Sequence, residues 1–121
     1  MVRNPIEDRW DIVLLLNVIH HVAEPMRLLH DLAEVARECL VIEFPTFADP
    51  RFRRHRRIRF PWFYNRSPVV GVSSAIKGVA QTFVFSPEAI RAMLLEQTTS
   101  VRSIEFQASP IPGRMIAFAR K

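Results

Sequence analysis

The fold is decided by residues 11–22, which read DIVLLLNVIHHV. The apolar run in the first half is too short to cross a membrane and is rich in Ile, Val and Leu, which predicts a strand buried on both faces of a parallel sheet. Polar residues follow where this strand should end, namely Asn17, His20 and His21. In open α/β sheets ligands bind beyond the carboxyl ends of the strands, so these residues are the first candidates for a functional site.

A helix and a second strand follow this stretch. Pro25 suits a first helical turn, and the apolar residues after it recur at spacings of three and four, which predicts a helix with one buried stripe. Residues 40–44 form a second apolar strand closed by Pro45. Strand, helix and strand together predict a βαβ unit with a right-handed crossover and a parallel sheet. The predicted stripe consists of Leu28, Leu29, Leu32, Val35, Ala36 and Cys39.

The C-terminal part has its own pattern. Residues 82–85 resemble a strand, and Ser86 followed by Pro87 and Glu88 is typical of a helix start. This helix should end near Gln97, and residues 101–107 and 113–119 should pair as an antiparallel hairpin around a turn at 110–113. The predicted fold class is therefore α/β: a partial Rossmann-like sheet with two parallel strands and a crossover helix, then a helix and an antiparallel C-terminal hairpin.

Composition predicts one domain. The chain has 121 residues, of which 49% are hydrophobic, enough for one ordinary core. Cys39 is the single cysteine, which excludes an internal disulfide framework and a multi-cysteine zinc site and fits a reducing compartment. No apolar run is long enough for a membrane span, and the first residues do not resemble a signal peptide. We therefore expect a cytoplasmic protein that makes no use of a membrane.

An insertion at about 46–81 interrupts the pattern and carries much of the net charge of +5. It should be a folded cap or an ordered functional loop, because a structureless segment of this length is unusual in a compact domain. Its basic cluster is a solvated helix face or a patch for nucleic-acid phosphates, an anionic substrate or an acidic partner. Trp62, Phe63 and Tyr64 would stack on a base, line a pocket for a planar substrate, or anchor the insertion. The cluster consists of Arg51, Arg53, Arg54, Arg56, Arg57 and Arg59.

The polar residues near the strand ends each have two readings. His20 and His21 are candidates for a general base or a substrate contact, since histidine titrates near neutral pH; otherwise one packs in the turn and the other is solvated. A metal site is disfavoured because adjacent histidines point apart in extended chain. Glu43 would bind a substrate amine, act as a base, or pair with one of the many arginines.

These elements resemble the C-terminal half of the class I S-adenosylmethionine (SAM)-dependent methyltransferases. The resemblance is carried by the strand at 11–16, the NVIHHV passage at 17–22, the Glu24-Pro25 helix start, the Ala36-Arg37 pair and the strand at 40–44. The closing helix and hairpin, residues 86–119, also fit the last helix and final strands of that family.

The resemblance implies roles for individual residues. Leu16, Asn17 and Val18 would contact the cofactor, and His20 and His21 would lie at the transferred methyl group or beneath it. Glu43 and Phe44 would border the substrate. Trp62 and Tyr64 of the insertion are candidates for the same side because of their aromatic side chains, independently of the resemblance. The resemblance thus implies a SAM-dependent methyltransferase that acts on a small-molecule substrate. The anion-binding patch at Arg53, Arg54, Arg56 and Arg57 is a separate hypothesis that rests on the charge of the insertion.

One part of the family pattern has no counterpart. The glycine-rich cofactor loop and the acidic residue of the second family strand are absent, and only Gly71, Gly78 and Gly113 occur. SAM would bind only if the missing half of the pocket is supplied. The strand at 11–16 would leave an apolar edge, so we expect a homo-oligomer or a missing N-terminal half to pair there. The alternative is a non-catalytic half-domain that serves as a protein or nucleic-acid interaction module.

Overall fold

The computed structural model describes residues 9–50, 61–72, 83–98 and 100–121. Within these ranges the chain forms six strands, three α-helices and one 3₁₀ helix. In chain order the elements are β1 (Trp10–Leu16), the 3₁₀ helix (Ile19–His21), α1 (Pro25–Val35), β2 (Ala36–Pro45), α2 (Pro61–Asn65), β3 (Val70–Val72), β4 (Phe83–Phe85), α3 (Pro87–Gln97), β5 (Ser103–Ala108) and β6 (Arg114–Arg120).

The main sheet has four strands in the order β1-β2-β6-β5. β1 and β2 are parallel, with Leu14 opposite Val41, while β6 runs antiparallel to both β2 and β5. The predicted α/β fold, with its parallel pair, crossover helix and C-terminal hairpin, is confirmed. A second sheet of two antiparallel strands, β3 and β4, was not predicted; β3 has only three residues, and its central Gly71 is a poor strand signal.

The hydrophobic core lies on one face of the main sheet. Alternate residues of each strand point to this face, and α1 and α3 cover it. The helices contribute the buried Leu29, Ala33, Ile90 and Leu94. The buried strand residues of this face are Leu15, Leu40, Ile42, Phe44, Ile104, Ala117 and Ala119.

The boundary between α1 and β2 differs from the prediction. The apolar spacing extended the helix through Cys39, whereas α1 ends at Val35 and β2 begins at Ala36. Ala36 has extended backbone and lies opposite Trp10, and Cys39 lies opposite Ile12, so pairing with β1 prevails over helical spacing. Cys39 is buried, and this burial raises the pKa of its thiol, although the charge of Arg120 acts in the opposite direction.

β1 is an edge strand with one open face. The sequence predicted burial on both faces, but Ile12 is 58% exposed and Leu14 is 62% exposed, while Leu15 on the opposite face is buried. Trp10 and Leu16 are exposed on the same open face. Among the described strands only β2 pairs with β1. The strand therefore keeps both an unpaired backbone edge and an uncovered apolar row.

Ser86 joins α3 to the segment before β3. Its hydroxyl oxygen accepts the Ala89 N–H at 3.0 Å, which is the predicted N-cap, and also accepts the Val69 N–H at 3.0 Å. The hydroxyl itself donates to the carbonyl of Ser67. One buried side chain thus fixes both the helix start and the entry to the small sheet.

Gly113 lies where the hairpin turn meets the loop after β2. Its φ of +80° is in the left-handed region, and a Cβ at this position would lie 2.3 Å from Cα of Asp49. The Gly113 carbonyl accepts hydrogen bonds from the backbone N–H and the hydroxyl of Thr46, at 2.9 and 2.7 Å. Only glycine combines this conformation with such a close backbone approach.

We expect Gly113→Ala to lower the free energy of unfolding by about 2–4 kcal/mol, because the added methyl group meets backbone atoms and alanine disfavours positive φ. Urea denaturation followed by circular dichroism measures this loss. Gly71→Ala is the control, since Gly71 does not have a left-handed φ and its Cβ would meet side-chain atoms only, with Val84 Cγ1 at 2.9 Å, whereas the Cβ at position 113 would meet backbone. An equal loss in the two variants would contradict the assignment of Gly113 as the tight contact.

Candidate functional site at the carboxyl end of the sheet

The chain leaves β1 through a left-handed turn. Asn17 has a φ of 60° and is the only non-glycine residue with positive φ among those the structure describes. Asparagine is one of the few residues that tolerates this conformation. The turn leads directly into the 3₁₀ helix, where the His21 N–H donates to the Val18 carbonyl at 2.9 Å. Leu16 and Val18, on either side of Asn17, both keep exposed side chains.

A polar network lies at this end of the sheet. Nη1 of Arg114 donates to Oδ1 of Asn17 and lies 3.8 Å from Oε1 of Glu43. The other carboxylate oxygen of Glu43 accepts the hydroxyl of Ser109 at 2.8 Å. The side chains of Arg114 and Glu43 are only 13% and 14% exposed, so the pair is largely shielded from water. We call Asn17, Glu43, Ser109 and Arg114 the polar network.

Strand direction explains why these four residues meet. Parallel β1 and β2 end at the same edge of the sheet, which places Asn17 beside Glu43. β6 runs in the opposite direction and begins at this edge, where Arg114 lies opposite Pro45. Ser109 follows β5, and its backbone N–H donates to the Arg114 carbonyl at 3.0 Å. The network therefore joins the ends of all four strands of the main sheet.

The polar network was predicted in part. Asn17 was a candidate from its place after the first apolar strand and Glu43 from its place at the end of the second, and pairing with an arginine was one of the three readings of Glu43. Arg114 and Ser109 were missed, because they are 97 and 66 residues away from their partners in sequence. A signal was present, since Arg114 follows the only glycine of the predicted hairpin turn and so opens the final strand.

The two histidines have different environments. His20 is buried, whereas His21 is exposed, and their rings lie 4.1 Å apart between centroids at an angle of 43°. His20 therefore packs inside the turn, and His21 is the imidazole that solvent and a ligand can reach.

The four predicted substrate residues lie in four different settings. Phe44 is fully buried, and its ring packs edge-on against Phe106. Tyr64 stacks on Phe47 with 5.3 Å between ring centroids, which anchors α2 to the loop after β2. Trp62 is 59% exposed, and the Arg66 guanidinium lies 6.0 Å from its ring centroid. Of this group only Glu43 joins the polar network.

The predicted anion-binding patch at Arg53, Arg54, Arg56 and Arg57 lies outside the described residues, as does much of the insertion. Two further features were sought in the described part of the chain. No helix there is long and apolar enough to cross a membrane. No group of three or more His, Cys, Asp and Glu side chains in the same ranges could hold a metal ion.

Solved structures share this fold. The magnesium protoporphyrin IX methyltransferase of Synechocystis PCC 6803, solved with bound S-adenosylhomocysteine (SAH), matches with a TM-score of 0.59 and 16% identity, over 100% of this chain and 50% of that one. A candidate O-methyltransferase from Nostoc punctiforme PCC 73102 has a TM-score of 0.59 and 14% identity over 94% of this chain and 32% of its own. The N-terminal domain of EvdMO1, solved with SAH, has a TM-score of 0.51 and 16% identity over 94% and 46%.

These comparisons identify the fold as part of the class I methyltransferase fold. The chain spans half or less of the length of the solved proteins that it matches. No family model matches the chain. No curated protein matches it either.

We expect Glu43→Gln to lower the free energy of unfolding by about 1–3 kcal/mol, because it leaves the shielded Arg114 charge without its counter-charge. Glu105→Gln is the matched control: Glu105 pairs with Arg120 on the same sheet, also at 3.8 Å, but these side chains are 70% and 54% exposed. The control should change stability by less than about 0.5 kcal/mol. Thermal unfolding of both variants measures the difference, and similar losses would contradict a special role for the polar network.

Proposed function

We propose that this chain is the C-terminal portion of a SAM-dependent methyltransferase that transfers a methyl group to a small-molecule acceptor. The observation that carries the proposal is the left-handed turn at Asn17, directly after the carboxyl end of β1. Proteins solved with bound SAM or SAH share this fold. Ligands of open α/β sheets bind at such strand ends. We place the protein in the cytoplasm.

The cofactor contacts in this proposal are Leu16, Asn17 and Val18. The two apolar side chains are exposed beside the turn, and a surface of this kind suits the aliphatic methionine portion of SAM. Asn17 has its side-chain oxygen occupied by Arg114, so the turn would offer the ligand mainly backbone groups and apolar atoms. These features fit the methionine portion but provide nothing for the adenosine, which would bind elsewhere.

The reaction requires alignment more than acid–base chemistry. When bound, SAM would supply an electrophilic methyl group for a nucleophilic atom of the acceptor, leaving SAH, and the acceptor would give up a proton. Holding the acceptor in line supplies most of the acceleration in such a transfer. His21 is the candidate for accepting the proton because its side chain is exposed beside the turn, and His20 beneath it would hold the turn in place.

The substrate side of the proposed site lies beyond β2. Glu43 borders it with its carboxylate held by Arg114 and Ser109, and Trp62 and Tyr64 on α2 would form a wall for a planar acceptor. Phe44 is fully buried in the main core against Phe106, so it would support the end of β2 beside Glu43.

The proposed enzyme needs a second half. The open face and unpaired edge of β1 expose Trp10, Ile12, Leu14 and Leu16 to water. A unit that adds a strand to this edge and a helix over this face would cover both, and the matched solved proteins have at least twice the length of this chain. An N-terminal α/β half fits this surface better than a second copy. In an antiparallel β1–β1 pair a two-fold axis perpendicular to the sheet would leave both open faces uncovered on the same side.

We expect millimolar SAH to shift the NMR signals of the backbone amides of Leu16, Asn17 and Val18, because half a pocket still provides the methionine contacts at a millimolar Kd. Adenosine alone should leave these amides unshifted. Val18→Asp should abolish the response, whereas Val72→Asp, at an exposed position on β3, should preserve it. The absence of any shift with SAH would reject this site and favour the interaction-module alternative.

The uncovered surface predicts self-association when the other half is missing. Size-exclusion chromatography with light scattering should show oligomers that grow with concentration across the micromolar to millimolar range. Leu14→Lys should return the chain to a monomer, because it places a charge in the middle of the apolar row. Val72→Lys is the control on the small sheet. A wild-type chain that stays monomeric across this range would contradict the need for a covering partner.

A further inference from the structure

The turn at Asn17, which the proposed function assigns to the cofactor, is held in part by a residue of another strand. Asparagine tolerates the left-handed conformation that Asn17 adopts but is not as free to adopt it as glycine is, so contacts around the turn help to maintain it. Within β1 and the 3₁₀ helix, the hydrogen bond from the His21 N–H to the Val18 carbonyl closes the turn after Asn17. The guanidinium of Arg114, the first residue of β6, donates a hydrogen bond to the side chain of Asn17.

Arg114 is itself fixed in three ways. Its guanidinium pairs with Glu43, whose second oxygen is held by Ser109. Its backbone N–H donates to the Ile111 carbonyl at 3.2 Å, which closes the hairpin turn. The preceding Gly113 packs directly against the backbone of the loop after β2 and accepts two hydrogen bonds from Thr46. A group fixed at so many points can hold a neighbour in place.

We propose that Arg114 is a positioning residue that holds the Asn17 turn in its ligand-binding conformation and so couples the β5–β6 hairpin to the cofactor site. This inference rests on the proposed function, because the turn in question is the one assigned to SAM. Arg114 does not contact the ligand in this scheme; it acts through the side chain of Asn17. The hairpin therefore determines the shape of a site to which it contributes no ligand contact.

The first experiment needs no cofactor. Hydrogen exchange of the His21 amide reports on the turn, because its N–H is bonded to the Val18 carbonyl. Arg114→Met should accelerate this exchange by about tenfold beyond the general loss of protection, shared with the amides paired between β2 and β6, that follows from breaking the ion pair with Glu43. Arg120→Met, on the same strand but in an exposed ion pair, should leave the His21 amide unchanged. Uniform acceleration of all amides by Arg114→Met would overturn the proposal, since it would show a general loss of stability.

A double-mutant cycle tests the route through Asn17. Asn17→Gly removes the side chain that Arg114 binds and allows the left-handed turn without support. If Arg114 acts through Asn17, adding Arg114→Met to Asn17→Gly should change the exchange of the His21 amide by less than about twofold. Additive effects in the double variant would overturn the proposal.

Should Arg114→Met fail to fold, Asn17→Ala replaces it, because that variant leaves the Arg114–Glu43 pair intact and should give the same local acceleration.

The second readout uses the SAH response. Arg114→Met should weaken the SAH-induced shifts at Leu16 and Val18 by about tenfold in apparent Kd, and Arg120→Met should not. Local acceleration of exchange in a chain that shows no SAH response supports the positioning role of Arg114 and rejects the methyltransferase site. A normal SAH response in a folded Arg114→Met variant rejects the positioning role and leaves the methyltransferase site standing.

Discussion

The parallel pairing of β1 with β2 is the constraint on which the rest of the structure depends. A crossover helix joins the two strands, so both must end at the same edge of the sheet. That edge receives Asn17 from one strand and Glu43 from the other. An antiparallel arrangement of the same two strands would place these residues at opposite ends, and neither the polar network nor the proposed cofactor turn could form.

The antiparallel hairpin then adds the residues that the parallel pair lacks. Two ion pairs on this sheet have the same separation of 3.8 Å, but Arg114–Glu43 is shielded and Arg120–Glu105 faces solvent. Attraction at such a distance is about 4 kcal/mol at an effective dielectric constant near 20 and about 1 kcal/mol in bulk water, before the cost of desolvation. The shielded pair can therefore fix the position of its members, whereas the exposed pair cannot.

Local patterns were sufficient to predict the βαβ unit, the cap of α3 and the terminal hairpin, because each depends on residues close together in sequence. The helix–strand boundary was misplaced because Ala36 and Cys39 satisfy helical spacing equally well, and only the pairing with β1 decides their conformation. Only two of the four residues of the polar network were found from the sequence, for a similar reason. Arg114 contacts Asn17 from 97 positions away in sequence, and no local pattern indicates such a contact. The composition of β1 suggested burial on both faces. Exposure of one face depends on which other elements pack against it, and the composition of the strand does not contain that information.

The position of β6 between β2 and β5 has a consequence for how the chain folds. This strand comes last among the described elements, yet it lies inside the sheet. The parallel pair can assemble from nearby segments, but the inner edge of β2 must wait for residues some seventy positions later. Such long-range strand pairing slows folding, and until it occurs this apolar edge of β2 stays unpaired and exposed. During synthesis this edge of β2 would therefore stay unpaired until β6 has left the ribosome.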